Sequence, residues 1–195
     1  MGGSAFEIVL IVVLMIANGV LAMSETAIVA ARRARLQQRA NAGDRGARAA
    51  LEVAESPNQF LSTVQIGITL VGILAGAFGG ATIARSLATS IAQVPALAPY
   101  SEAIGLVLVV AAITYLSLVI GELVPKRLAL NNPERVAAFV ARPMQAVSAF
   151  SRPVVALLGV STDVILRVLG VRPSDEPPVT EEEVTILIEQ GTRAG

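Results

Sequence analysis

Residues 116–130 read "LSLVIGELVPKRLAL", a glycine, a glutamate, a proline and a lysine at the end of a long apolar run. From Ala103 to Val124 the chain is predominantly apolar, and about 20 such residues suffice for a membrane-spanning helix. Pro125 has no N–H, so in a helix that continues through it the carbonyl of Gly121, four residues back, loses its partner. At membrane depth a freed carbonyl is tolerated only against protein or a water-filled cavity. Gly121 leaves room for a partner to approach closely. A free carbonyl beside the Glu122 carboxylate is the kind of broken-helix ion site that transporters build. A kinked helix end with a Glu122–Lys126 salt bridge one turn long explains the same residues without any ligand. From this stretch alone both readings stand.

The rest of the chain supports a lipid environment. Apolar residues make up 54% of the 195 positions and charged residues only 15%, too greasy for an ordinary soluble domain. Two further stretches can cross a bilayer, Phe6 to Met23 and Phe60 to Ile83. The leader "MGGSAFE" carries Glu7 and no basic residue, so the first stretch reads as a retained span and not as a signal peptide. Six arginines lie between Arg32 and Arg48, and Lys126, Arg127, Arg135, Arg142 and Arg152 follow the third span, whereas Leu87 to Ser101 has no basic residue. The positive-inside rule then makes both basic regions cytoplasmic and puts the N-terminus outside. Zero net charge gives no sign of nucleic acid as a partner. With no cysteine and no histidine, thiolate and imidazole ligands and Cys or His catalysis are excluded. Any bound metal is held by oxygen, which suits Mg²⁺, Ca²⁺ or Na⁺.

Helical spacing marks special faces. On the second span Ser62, Gln65, Thr69, Gly72, Gly76 and Gly80 follow steps of three and four residues and form one stripe. The glycines read as a packing seam for another helix. Ser62, Gln65 and Thr69 read either as interhelical hydrogen-bond partners or as a hydrophilic wall. On the first span Asn18, Ala22 and Glu25 share a face, while Ser24 points well away from it. A common site for Asn18 and Ser24 needs an irregular helix near Gly19; otherwise the Ser24 hydroxyl bonds back to its own helix. A helix over 26–40 and the segment to Glu55 form an arginine-rich cytoplasmic hairpin, first of all a topology anchor. From Pro143 to Val171 the apolar stretches are short and broken by Arg152, Pro153, Asp163 and Arg167, which predicts interfacial helices and no fourth crossing. "RPSDEPPVTEEEV" is a proline-rich acidic linker, and Thr180 with Glu183 has the spacing of a capping box opening a new helix. That helix ends with nothing to pack on, so a longer protein with a cytoplasmic portion is expected.

The fold expected is all-α and integral to the membrane: three transmembrane helices plus a juxtamembrane helical belt, N-terminus outside and C-terminus cytoplasmic. Residues 1–142 form the three-span core with its hairpin at about 26–55, residues 143–172 the interfacial helices, and residues 173–195 the linker and the start of connecting helices.

"SETAIVAARRARLQQRA", "NQFLSTVQIGITLVGILAGAFGG", "GELVPKRLALNNPERVA" and "TEEEV", in this order, resemble the CNNM/CorC family of magnesium transporters over nearly the whole chain. The resemblance implies a homodimer in the plasma membrane that moves Mg²⁺ outward, in exchange for Na⁺, by alternating access. It also implies cytoplasmic CBS modules that bind ATP, which this chain lacks. Carried over by motif, Ser24, Ser62, Gly67, Gly121 and Glu122 surround the ion, with Asn18 and Gln65 as second choices. Glu25, Pro125 and Lys126 support them, Lys126 as charge partner of a glutamate. The rival is a membrane anchor or Mg²⁺-sensing module that binds without transport. An enzyme is not expected, because no nucleophile has an adjacent base and no catalytic carboxylate pair is recognisable.

Overall fold

The apolar runs form long helices. The computed structural model describes residues 2–79 and 83–170, and no strand occurs among the described residues. In order come α1 (Gly2–Ala30), α2 (Arg33–Asn41), α3 (Arg45–Glu55), α4 (Pro57–Phe78), α5 (Ala84–Ile91), α6 (Ser101–Leu118), α7 (Val124–Asn131) and α8 (Pro133–Val168). A π-helical turn, Val119–Leu123, joins α6 to α7. The expected all-helical membrane protein is what the chain forms. Residues 171–195, with the linker and the Thr180–Glu183 capping box, lie outside the described residues, as does Gly80.

Among the described residues four helical segments are long and apolar enough to cross a membrane: Phe6–Ala30, Pro57–Phe78, Ala98–Asn131 and Pro133–Val168. The first three correspond to the spans read from the sequence, and the fourth, which qualifies by length and composition alone, covers the region read as interfacial helices. In place of short interfacial pieces the chain makes one helix of 36 residues that runs through Pro143 and Pro153. A proline deletes one N–H and crowds a carbonyl, which bends a helix and need not end it. Compact packing divides the chain into Met1–Val155 and Ala156–Gly195. The described part of the second unit is the exposed end of α8 and the turn at Gly170.

Within the first unit α1 is the helix against which the others are set, packing on α4, the π turn and α7. A side chain at Gly79 would meet Ile11 and Ile113, one at Gly67 would meet Leu21, and one at Gly19 would meet Pro125, Ile120 and Gly121. These heights make α4 antiparallel to α1 and the α6–π–α7 rod parallel to it. Gly105 brings the backbone of α5 onto α6, since a Cβ there would lie 2.9 Å from the Ala84 carbonyl oxygen.

The α2–α3 hairpin folds beneath this bundle. Gly43, at φ +94°, takes the left-handed conformation that ends α2, and Asp44 caps α3 by accepting from the N–H groups of Gly46 (2.9 Å) and Ala47 (3.1 Å). The helix expected over 26–40 is instead broken, α1 continuing to Ala30 before the chain bends through an extended Arg32. Ala27 and Leu36, nine residues apart, would lie on opposite sides of a straight helix. The bend lets both enter one core with Ala47, Ala50, Ala129, Ala137, Val140 and Ala141. On α8, Glu134, Ala137, Ala138, Ala141 and Met144 turn one face inward at helical spacing.

Candidate cation site

The Gly121 carbonyl finds its partner across the bundle. Asn18 of α1 donates through Nδ2 to that oxygen at 3.0 Å, in a buried contact between residues 103 positions apart. Pro125 cannot supply the usual N–H, and the chain widens into the π turn, where the Val124 N–H reaches back to the Val119 carbonyl. Two glycines permit the approach. A Cβ on Gly19 would stand 3.0 Å from Pro125 Cγ, and one on Gly121 would stand 3.1 Å from Asn18 Nδ2. A site shared by Asn18 and Ser24 needed an irregular α1 near Gly19; α1 is unbroken, and the irregularity sits in the facing segment.

Because Nδ2 is committed to a carbonyl, the other end of the Asn18 amide must be an acceptor, and Asn18 Oδ1 is buried with no hydrogen-bond partner among the described residues. An orphaned buried acceptor costs about 1–3 kcal/mol, and a cation or water molecule would relieve it. Asn18 also lines a cavity of about 240 Å³ together with Gly72 and Gly76 of α4, Val110, Ile113, Thr114, Ser117 and Leu118 of α6, and Glu122 of the π turn. Residues carrying amide, hydroxyl and carboxylate oxygens thus line one space. Among the described residues no three Asp, Glu, His or Cys side chains cluster, so a metal ion here would draw on these mixed oxygens.

Charge is arranged beside the cavity. The Lys126 ammonium lies 2.9 Å from Glu122 Oε1 and 3.8 Å from Glu25 Oε2. Two carboxylates on different helices therefore share one ammonium. Pro125, buried against Gly19, holds this end of α7 on α1.

The remaining candidates lie elsewhere. Ser24 is fully buried and its hydroxyl donates to the Val20 carbonyl at 2.6 Å, the back-bonded arrangement. Gly67 closes against Leu21. Ser62 and Gln65 are exposed on the α4 stripe that leads to Gly72 and Gly76. Among the described residues those two glycines are not packed as a seam: apart from the adjoining backbone of α4, no atom lies within 4 Å of a Cβ built at either, and both line the cavity instead. Thr114 and Ser117 were missed. With Gly121 they follow steps of three and four, the same signal that marked the α4 stripe.

Residues 9–195 match the family model described as the cyclin M transmembrane N-terminal domain. Among similar proteins, the UPF0053 protein sll0260 of Synechocystis is 53% identical over 97% of this chain and 42% of its own length. The UPF0053 protein YhdP of Bacillus subtilis is 30% identical over 97% of the chain and 43% of its own length. A protein of Haemophilus influenzae named polyamine export protein is 29% identical over 96% of the chain and 43% of its own length. The chain thus spans less than half the length of these relatives.

Proposed function

The chain belongs to the cyclin M transmembrane N-terminal domain family, and on that premise we propose that it forms the ion pathway of a membrane transporter that exports Mg²⁺ in exchange for Na⁺. The observation that carries this reading is the cavity where Glu122, Asn18, Thr114 and Ser117 converge beside the π turn. Mg²⁺ gives up water reluctantly, so a site that dehydrates it must offer several placed oxygens. One carboxylate, one orphaned amide oxygen and two hydroxyls are such a set, and alternating access would open them to either side. The Ser24 hydroxyl would join only after leaving the Val20 carbonyl, and Ser62, Gly67 and Gln65 only after α4 shifts. With this proposal go a homodimer in the plasma membrane, an outside N-terminus, and a cytoplasmic CBS region through which ATP would act.

A second reading has its own support: a primary ammonium, that of Lys126, already sits on Glu122, and a relative is named for polyamine export. Proteoliposomes carrying a Mg²⁺ dye distinguish the two. Mg²⁺ flux that follows an imposed Na⁺ gradient and falls at least tenfold in Glu122→Gln is the expected result, ~1.4 kcal/mol per tenfold being a modest loss for a charged ligand. Linear polyamine flux without Mg²⁺ flux would favour the second reading. Mg²⁺ binding with no flux of either would leave a sensing anchor.

A further inference from the structure

We propose that Lys126 is a tethered counter-ion: its ammonium neutralises Glu122 while the cavity is empty and swings to Glu25 when a divalent cation takes Glu122. The proposal deepens the cation-site reading and rests on it. Three observations lead to it. The ammonium is in direct contact with Glu122 Oε1 at 2.9 Å and within ion-pair reach of Glu25 Oε2 at 3.8 Å, so a second position lies next to the first. Glu122 lines the cavity, whereas Glu25 and Lys126 do not; the second carboxylate is thus placed to receive the lysine and not the incoming ion. The three side chains are 36%, 30% and 34% exposed, loose enough for a flexible four-carbon stem to move between partners.

The consequence is an exchange of positive charges within one site. A divalent cation and an ammonium repel at contact distance, so loading Glu122 displaces Lys126, and unloading is assisted by its return. Two carboxylates without the lysine would bind a divalent ion more tightly and surrender it more slowly. Lys126 therefore sets affinity low enough for release without touching the cation.

The test is equilibrium Mg²⁺ binding and Mg²⁺ release from the purified protein in lipid nanodiscs, for wild type, K126M, E25Q and the K126M/E25Q pair. K126M is expected to bind roughly tenfold more tightly, within the usual span of coupling between adjacent sites, and to release more slowly. E25Q is expected to bind more weakly, because the ammonium loses its second position, and to have no effect in the K126M background. The chain contains no cysteine, so K126C places its sole thiol here. K126C should behave as K126M does, and aminoethylation, which rebuilds an ammonium, should return wild-type affinity. K126M binding no tighter than wild type, or an E25Q effect that persists in K126M, overturns the proposal and leaves the Mg²⁺ reading intact. Wild-type protein that binds no Mg²⁺ overturns both. Should K126M fail to fold, E25Q alone decides: unchanged affinity rejects the second position and weaker affinity supports it.

Discussion

The α2–α3 hairpin and the crossing of α1 with the π turn both bring backbones together over small residues, and they leave their polar groups in opposite conditions. In the hairpin Gly46 lies against the Ala138 carbonyl, and the Asp44 carboxylate is fully used, one oxygen on two N–H groups and the other on Arg39 at 2.6 Å. At the crossing Gly19 and Gly121 meet less tightly, Asn18 Oδ1 has no donor among the described residues, and a cavity opens beside it. Close packing with every partner present holds a fold. Packing with one acceptor left over prepares a site, at a local cost that the hairpin core and the long helices offset.

Four substitutions test this contrast. Gly46→Ala should have the largest effect on stability, about 3 kcal/mol, because a Cβ there runs into backbone on α8 and only a helix shift can relieve it. Thermal unfolding should show the loss while the folded protein keeps its Mg²⁺ affinity; a parallel fall in affinity would mean the two regions are not separable. Gly121→Ala should cost less, about 1–2 kcal/mol, since its Cβ meets the Asn18 amide at 3.1 Å and the Met15 carbonyl oxygen at 3.3 Å. Here Mg²⁺ binding measured by titration should weaken together with stability.

Asp44→Asn should have a smaller effect, visible mainly in its pH dependence. The Ala47 N–H, the Arg39 guanidinium and the Gly46 N–H hold the Asp44 carboxyl below its ordinary value of 3.8. A depressed carboxyl releases its proton more readily folded than unfolded, so its stabilisation is present above the ordinary value and is lost as pH falls through the lowered one. Melting curves taken down through the acid range should lose this slope in D44N, whose asparagine can still cap α3. Gly72→Ala should be the mildest: among the described residues no atom beyond the adjoining α4 backbone lies within 4 Å of the new methyl, and helix propensity adds up to about 1 kcal/mol of stability. Its effect should fall on transport, because the methyl occupies cavity volume, and unchanged flux in proteoliposomes would remove Gly72 from the pathway.

Local chemistry made part of the site legible. The freed Gly121 carbonyl follows from Pro125 alone, and a polar group near the facing helix was foreseeable. Which group was not, because spacing along one helix says nothing about the crossing that brings Asn18 and not Ser24 to the carbonyl. Ser24 satisfies itself four residues back, a choice open to any serine in a helix. Thr114 and Ser117 carry a readable period, but mild hydroxyls within a span look like ordinary packing. Gly72 and Gly76 show the limit most plainly, since a small residue permits close approach without stating whether a helix or a void will use it. In α8 the continuity was not legible, because two prolines and scattered charges were weighed as breaks, whereas the helix runs through both prolines from Pro133 to Val168.

The wide turn at Val119–Leu123 holds one residue more than an α-helix would fit into the same hydrogen-bonded turn. Such a surplus is a dislocation, and a dislocation can glide: as it passes a position, that side chain rotates by roughly 100° about the axis while the rod keeps its length. Glide here would turn Glu122 away from the cavity it lines, and Pro125, with no N–H to restore an α turn onto Gly121, pins the surplus in place.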